Sequence, residues 1–493
     1  MTQTNTATEE VKPTSKLVGR FYEPLFLLEA LNVAARDTAI DGTPEDYTSY
    51  IYKLAHVCDN KKGGTTVTSF MALRGDDGAD SLSTASQRQS PAHGQSTAQR
   101  QSPHDVLLRD VLQFNTPRLV PYMRNLNSRL QECLDRCANS SAEDETLIAD
   151  FIKRIQSALK HDPTTLRAHD RKLVVELSES VIRELNMVHG SPASISITER
   201  AREGRMPGYR SQECWSDLQH TMSRIRAYSQ SIVYFLDAQR KWPSLFEEFK
   251  VSFIPSSAPA SPVTRPKSAT AEGIVGRMTN EPIEMEIFKN YVRTLQDFNL
   301  DERIQANYRK QPIVHSEVLL LDWLSKTGAV DPRRFFNDWM YIGASKPTCR
   351  LCHYYFESYN TVVERRPSHN NIYNNWRVPD PLSSQGIEAI KARDDMMGRV
   401  LERIRRDAFA LVMQRVPSSV KKSVAPLPPR MITNAPFSSP ILSCNMVVEA
   451  STDMALRNDS NTFSAPKTFR DDGPTGDAGI GGIASSLNRV KLI

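Results

Sequence analysis

The sequence predicts a multidomain protein of the α plus α/β class, on three observations. Helical periodicity dominates residues 105–250, helix and strand signals mix over residues 281–416, and polar segments interrupt or follow these regions. Apolar residues spaced i, i+3 and i+4 indicate one face of a helix, whereas a short apolar run bounded by turn residues indicates a buried strand. We therefore expect an N-terminal helical bundle followed by a compact α/β domain with a mixed sheet.

The boundaries of these regions follow shifts in composition. Segments rich in Ser, Gln, Pro and Gly cannot bury enough apolar surface to offset the entropy of ordering them, so we expect them to be disordered. One such segment contains the sequence Gln-Arg-Gln-Ser-Pro twice, starting at Gln87 and at Gln99. The predicted regions are a disordered 1–16, a helical region 17–250 with a disordered insertion 75–104, a linker 251–280, a compact domain 281–416 and a disordered tail 417–493.

Composition limits the classes of function. The 62 Lys and Arg residues exceed the 57 Asp and Glu residues by five, too small an excess over 493 residues to predict binding to nucleic acid or an anionic membrane. No apolar run approaches the ~18 residues of a membrane span. Seven cysteines in so long a chain do not indicate a disulfide scaffold, and the polar N-terminus does not predict a secretory signal. We expect an intracellular protein, cytoplasmic or nuclear, with no membrane partner.

The helical region is predicted to be a scaffold. Its apolar stripes, such as Val174, Leu177 and Val181, are typical of helices that pack on one another as a bundle. Pro24 is expected in the first turn of the first helix, where a missing N–H costs nothing. Such a bundle is also a possible binding surface for a protein partner. A last helix is predicted over 385–415, and its basic face either contacts phosphates or is simply solvated.

Two short motifs in the compact domain carry the chemistry. His315-Ser316-Glu317 begins a predicted helix that Gly328 ends, and Cys349-Arg350-Leu351-Cys352 begins another, with Thr348 as the expected N-cap. The apolar run Trp339–Ala344 between them is predicted to be a buried strand. A strand placed between two helices can bring both helix N-termini to one edge of a sheet.

The residue types at that edge favour a zinc site. Cys349 and Cys352 lie on one face of a first helical turn, where the helix dipole favours thiolates. His315 adds a neutral nitrogen, which gives a three-ligand His/Cys/Cys set for Zn2+ with one position left for water, as in catalytic zinc sites. Glu317 lies two residues from a ligand and is placed to exchange protons with that water.

The two motifs together resemble those of the zinc-dependent cytidine-deaminase-like superfamily. The stretch Val314–Val318, followed by Ile342–Lys346 and the Cys-x-x-Cys helix, is most similar to its fungal nucleic-acid/nucleotide deaminase-like branch. Thr348 replaces the usual Pro before the first Cys, with Pro347 one place earlier. The usual β-hairpin upstream of His315 is not evident either, since Ala306–Val314 offers at most one strand.

The resemblance implies a fold, an activity and a set of site residues. The fold would be a cytidine-deaminase-like α/β/α domain, and the activity hydrolytic deamination of a nucleobase, free, in a nucleoside or nucleotide, or in nucleic acid. Zinc-activated water would attack the amino-bearing ring carbon, with ammonia released. The implied metal ligands are His315, Cys349 and Cys352, the implied proton shuttle is Glu317, and the implied substrate-binding residues are Ser345, Lys346, His369, Tyr373 and Trp376.

Plainer interpretations remain open for each of these residues. The cysteine pair could be two buried thiols or a closed structural zinc site with His353, His369 or Cys444 as fourth ligand. The remaining candidates could be ordinary helix, turn or core residues. Cys133 and Cys137 lack a nearby His and are expected to be structural. The alternative function is a noncatalytic interaction or scaffold protein that keeps zinc only structurally.

Overall fold

The computed structural model describes residues 9–32, 46–61, 67–74, 102–137, 143–203, 214–246, 249 and 251–417. Most of the predicted insertion (75–101), almost all of the predicted tail (418–493) and Cys444 lie outside these residues. The described part is mostly helical and contains one small three-stranded sheet. Among the described helices, none is long and apolar enough to span a membrane.

The helical periodicity of the N-terminal half is confirmed. Its helices are α1 Ser15–Leu31, α2 Asp46–Cys58, α3 Pro103–Phe114, α4 Thr116–Cys137, α5 Glu143–Ala158, α6 Arg171–Val188, α7 Pro192–Glu203 and α8 Cys214–Lys241. Pro24 lies inside α1 and not in its first turn as predicted, because the helix begins nine residues earlier, at Ser15, where Thr14 is the N-cap. The buried stripes of α4 to α6 and α8 form one apolar core, to which Tyr47 and Ile51 of α2 also belong.

The elements of the second half are α9 Ala271–Met278, α10 Pro282–Arg293, α11 Leu300–Asn307, α12 Ser316–Lys326, α13 Arg350–Tyr359 and α14 Gly386–Arg415, with strands β2 Tyr341–Ala344 and β3 Glu364–Arg365. The helices predicted after His315, after Cys349 and over 385–415 are confirmed as α12, α13 and α14. The strand predicted over 339–344 is confirmed as β2.

The sheet is mixed, as predicted, but one strand comes from an unexpected place. Strand β1, Ser69–Phe70, belongs to the N-terminal region and pairs antiparallel with β2, while β3 pairs with β2 in parallel. Upstream of His315 the described chain forms α11 and then a single bridge between Ile313 and Trp376 in place of a hairpin. The three-layer α/β/α arrangement that the resemblance implies stays a prediction.

Helix α1 belongs to the second of the two apolar cores. That core lies between α1, α9 to α14 and β2, and Phe21 of α1 stacks on Trp376 with ring centroids 6.2 Å apart. Helix α2, in contrast, lies directly on β2. A Cβ atom on Gly343 would come within 2.6 Å of the Ile51 side chain and 2.8 Å of the Tyr52 backbone nitrogen. The N-terminal region therefore supports the sheet that carries the candidate site.

Two segments that are predicted to be disordered or a linker make specific contacts. Glu10 forms a bridge with Leu382, although residues 1–16 are predicted to be disordered, and Lys12 pairs with Asp380 at 3.0 Å. The predicted linker contains α9, and its Ser257 hydroxyl accepts a hydrogen bond of 3.0 Å from the backbone of Val314. All three contacts join residues distant in sequence, which local composition does not reveal.

Candidate metal centre

His315 and Glu317 are placed by the start of α12. His315 is the extended N-cap residue of this helix, directly after the Ile313 bridge, and Glu317 lies in its first turn. The free N–H groups and the dipole of a helix N-terminus favour negative charge nearby. Ser316 also links this turn to β1, because its hydroxyl lies 2.7 Å from the hydroxyl of Ser69.

The two cysteines are placed by the start of α13, with one difference from the prediction. Cys349, not Thr348, is the N-cap: its backbone is extended, and its Sγ accepts a hydrogen bond of 3.4 Å from the Cys352 backbone N–H. Thr348 instead pairs through its backbone with the segment around Ser368. The helix end therefore points the Cys352 backbone N–H at the Cys349 sulfur.

The three predicted ligands come together. His315 Nδ1 lies 3.5 Å from Cys349 Sγ and 3.4 Å from Cys352 Sγ, and the three donor atoms lie within 4.8 Å of one another. Two ligands of one tetrahedral zinc, with bonds of ~2.3 Å to sulfur and ~2.0 Å to nitrogen, are about 3.5 Å apart. The nitrogen–sulfur distances and the soft donor set therefore fit a zinc ion.

Proton exchange among these groups is strongly coupled. Burial opposes ionisation of Cys349, but its hydrogen bond with Cys352 and the charge of His315 hold its pKa well below the usual range. Burial and the neighbouring Cys349 sulfur raise the pKa of the Cys352 thiol well above the usual range. Burial disfavours the imidazolium of His315, but the Cys349 thiolate outweighs burial and raises the His315 pKa. Ionisation within this group is therefore favoured at Cys349 and disfavoured at Cys352.

Glu317 is buried beside this group. Its side chain is 4% exposed, and burial raises its pKa above the usual value of 4.5. A carboxyl group whose pKa is raised toward neutrality is suited to both accepting and donating a proton. Within the described chain the cluster of potential ligands has three members, His315, Cys349 and Cys352, and Glu317 is not one of them.

Ser345 and Lys346 follow β2 and are held by the N-terminal region. The buried hydroxyl of Ser345 donates a hydrogen bond of 3.1 Å to Asp59, just after α2. Asp59 in turn pairs at 3.4 Å with Arg118 of α4, and both side chains are buried. Lys346 is half-buried; burial lowers its pKa, whereas Asp59 and, more weakly, Glu317 raise it. Lys346 is thus within electrostatic range of the site carboxylate.

The aromatic candidates lie at two different depths. Tyr373 is 42% exposed, and its ring centroid lies 6.2 Å from that of His315 and 5.6 Å from that of His369. Trp376 is fully buried between Phe21 and Tyr355, and its indole opposes the raised pKa of Cys352. Tyr373 therefore lies near the surface beside His315 and His369, whereas Trp376 lies behind Cys352 in the core.

Two of the side chains named as alternatives for a fourth ligand, His353 and His369, lie in the described part of the chain and have other contacts. His353 Nδ1 lies 2.8 Å from the Arg365 guanidinium, and His369 Nδ1 accepts a hydrogen bond of 3.0 Å from the Asn371 backbone.

Cys133 and Cys137 are buried in the helical bundle beside Cys214, and burial raises the pKa of Cys137 to about 12. Neither cysteine belongs to a metal-ligand cluster in the described chain.

Asp59 is a site residue that sequence reasoning missed. It positions Ser345 across 286 residues of chain, and no motif or local spacing joins the two. The only signal in the sequence is an isolated acidic residue at the end of an apolar helix. An acidic residue in that position is usually solvated.

Comparison with known proteins supports a deaminase-like domain at this place. A family model described as OTT_1508_deam:-like deaminase matches residues 314–380. This match covers 67 of the 493 residues and contains both motifs and all five candidate substrate-binding residues. No curated protein and no solved structure matches the chain.

Proposed function

We propose that this chain is a zinc-dependent hydrolytic deaminase that acts on a nucleobase, free, in a nucleoside or nucleotide, or in nucleic acid. One observation carries the proposal: a buried carboxyl group, Glu317, adjoins a His/Cys/Cys group with zinc-like donor spacing. The group lies inside the segment that matches a deaminase family model. A buried thiol pair alone would need neither the histidine nor the carboxyl group.

The ligands would be His315 Nδ1, Cys349 Sγ and Cys352 Sγ. When bound there, zinc would supply a Lewis acid with a fourth position for water, whose pKa it lowers toward neutrality. The backbone N–H of Cys352 already holds the Cys349 sulfur in place, which reduces the ordering needed on binding. This interpretation favours zinc over Mg2+ or Ca2+, which prefer oxygen ligands.

Glu317 would move the protons of the reaction. Replacing a ring amino group by a carbonyl oxygen consumes one water and releases one ammonia, so the water must lose its protons while the ring nitrogen and the amine gain them. A buried carboxylate beside the metal group can accept a proton from the water and return it to the leaving amine. Ser316 lies within 3.4 Å of the Glu317 carboxylate and would orient it.

The remaining candidates would hold the base. Tyr373 and His369 border the site next to His315, and Tyr373 offers an exposed ring face on which a base can stack. Ser345 and Lys346 border it from the opposite element, the end of β2. Trp376 would act indirectly, by supporting Cys352 from behind.

The substitution Glu317→Gln tests this proposal. It preserves size and shape but removes the titrating carboxylate, so the zinc content should stay at that of the unaltered protein. Loss of a positioned acid–base group costs on the order of 10²–10⁴ in rate, so ammonia release from the true substrate should nearly vanish. Activity is measured as ammonia release across a panel of cytosine- and adenine-containing bases, nucleosides, nucleotides and oligonucleotides, and zinc by elemental analysis.

The matched control is Glu388→Gln. Glu388 lies in the first turn of α14, is exposed, and does not belong to the His/Cys/Cys group. This variant should keep both zinc and activity. Full activity of Glu317→Gln, or loss of its zinc, would contradict the role assigned to Glu317. A zinc-loaded protein that is inactive on the whole panel would favour the noncatalytic alternative.

A further inference from the structure

Strand β1 brings a serine from the N-terminal half of the chain to the candidate site. Its Phe70 packs against the core of the helical bundle. Because successive side chains of a strand point to opposite faces, Ser69 faces the other way, toward the start of α12. The Ser69 hydroxyl lies 2.7 Å from that of Ser316, although 247 residues of chain separate the two serines.

The position of Ser69 is fixed by the pairing of β1 with β2. Ser69 lies opposite Ala344 in the antiparallel register. The Thr68 carbonyl accepts a hydrogen bond of 2.9 Å from the Ser345 backbone N–H, and the Thr68 N–H donates one of 3.3 Å to the Ser345 hydroxyl. Hydrogen bonds between strands hold them in one register, so the Ser69 hydroxyl has a defined place beside α12.

The two serines and Glu317 form a chain of hydrogen bonds with one direction. The Ser316 hydroxyl donates to the Glu317 carboxylate at 3.4 Å. A serine hydroxyl has one proton and an ionised carboxylate has none, so Ser316 cannot donate to Ser69 at the same time. Ser69 is therefore the donor in its contact with Ser316. Both serines are half-buried and Glu317 is buried, and hydrogen bonds linked in this way strengthen one another away from water.

We propose that Ser69 is a positioning residue of the candidate site, which holds the Glu317 carboxylate in place through Ser316. This inference rests on the proposed deaminase function for what the carboxylate does, but the hydrogen bonds themselves do not depend on catalysis. Ser69 lies outside residues 314–380, the segment that matches the deaminase family model. The site therefore extends beyond that segment to strand β1.

The test compares two substitutions of equal shape in the full-length protein. Ser69→Thr keeps the hydroxyl and Ser69→Val replaces it by a methyl group, and both β-branched side chains suit a strand. Ser69→Ala also lacks the hydroxyl and avoids any disturbance of packing by the larger Val. The control is Ser325→Ala, which removes a half-buried hydroxyl of α12 that donates to the Asp322 carbonyl at 2.8 Å.

The first measurement does not require activity. Glutamate labelled with ¹³C at the side-chain carboxyl carbon gives one NMR signal per residue, and the Glu317 signal is the one missing from Glu317→Gln. Losing the Ser69 hydroxyl weakens the hydrogen bond to the carboxyl group, so Ser69→Val and Ser69→Ala should shift this signal. Ser69→Thr and Ser325→Ala should leave it in place.

The second measurement is the kinetics of ammonia release from a substrate of the panel. Ser69 is neither a proposed ligand nor a proposed substrate-binding residue, so Ser69→Val should lower kcat and leave KM unchanged. The expected loss in kcat is about fivefold, the rate equivalent of one ordinary hydrogen bond. Ser69→Thr should restore the rate.

A Glu317 signal that shifts in Ser69→Val but not in Ser69→Thr supports the inference, as does a fall in kcat alone. An unshifted signal in Ser69→Val and Ser69→Ala, or an equal shift in Ser69→Thr or Ser325→Ala, would overturn it. An unchanged kcat of Ser69→Val in an active protein would overturn it as well. If the unaltered protein releases no ammonia while Ser69→Val still shifts the signal, the deaminase function fails and the positioning of Glu317 by Ser69 stands.

Discussion

Single residues in the metal centre serve more than one purpose. The Cys349 sulfur caps α13 by accepting the Cys352 backbone N–H and at the same time faces His315 Nδ1. Helix capping by a thiolate needs no metal, so the donor group is assembled before an ion binds. This dual role explains why two short motifs in the sequence were enough to predict that the three donor atoms come together. Spacing of i and i+3 in a first turn fixes the cysteines relative to each other.

Removing one ligand should separate metal binding from simple core packing. Cys352→Ser replaces a sulfur donor by a hydroxyl, and we expect the zinc content to fall from one ion per chain toward zero. The melting temperature should fall as well, because metal binding is coupled to folding. Cys133→Ser is the control, since Cys133 is equally buried but lies in the bundle. Elemental analysis should find full zinc in Cys133→Ser; depletion there would argue against the assigned ligands.

The raised pKa of Glu317 gives a prediction for the pH profile. A carboxyl group accepts a proton only when ionised, and burial raises the pKa of Glu317 above 4.5. The value of kcat/KM should therefore rise with pH through a limb centred above 4.5 and should be lost as pH falls through that limb. The measurement is kcat/KM against pH, with zinc content checked at each pH. A midpoint at or below 4.5 would show that Glu317 is not the group that titrates.

At the scale of elements, the prediction from sequence succeeded where periodicity is local. Apolar spacing, together with a breaker residue such as Gly328, predicts helices α12, α13 and α14 and strand β2. Strand β1 does not, because two residues carry no period and its partner Ala344 lies 275 residues further along the chain. For the same reason the contact of Asp59 with Ser345 could not be predicted. Contacts between segments that are distant in the chain leave no periodic pattern in the local sequence.

The packing of α2 against β2 can be tested by a substitution at Gly343. Gly343→Ala places a Cβ within 2.6 Å of Ile51 and 2.8 Å of the Tyr52 backbone, so either α2 or β2 must shift. Overpacking of this kind costs about 1–3 kcal/mol. Chemical denaturation should show this loss of stability. Activity should also fall, but by a smaller factor, if α2 supports Ser345 and Lys346.

The matched substitution is Gly398→Ala in α14. A Cβ there meets nothing within 4 Å, and Ala is favoured over Gly in a helix interior by up to about 1 kcal/mol. This variant should be as stable as the unaltered protein or more so. Equal effects of the two substitutions would mean that the approach of α2 to β2 is not close.

At the scale of the whole molecule, the two apolar cores do not coincide with the two halves of the sequence. Helix α1 comes first in the chain but packs in the core that contains Cys349 and Cys352, and its Tyr22 hydroxyl donates to the Trp376 carbonyl at 2.9 Å. Phe336 and Tyr341 come from the compact domain but pack in the core of the helical bundle. The boundary at 251–280 stays a prediction about composition, and packing crosses it in both directions.

This crossing predicts that the compact domain does not fold alone. A fragment of residues 251–417 holds every proposed zinc ligand but lacks α1, whose Phe21, Leu25 and Leu28 are buried in the shared core. Deleting buried groups of this kind costs about 2–5 kcal/mol each, so the loss of these three side chains alone is comparable to the 5–15 kcal/mol stability of a typical domain. The fragment should therefore lack a cooperative thermal transition and fail to retain zinc after gel filtration.

Co-expression with residues 1–250 as a separate chain should restore both, because the missing helices dock through side chains and need no covalent link. A fragment that melts cooperatively and keeps its zinc by itself would show that α1 and α2 are not required for the site to fold.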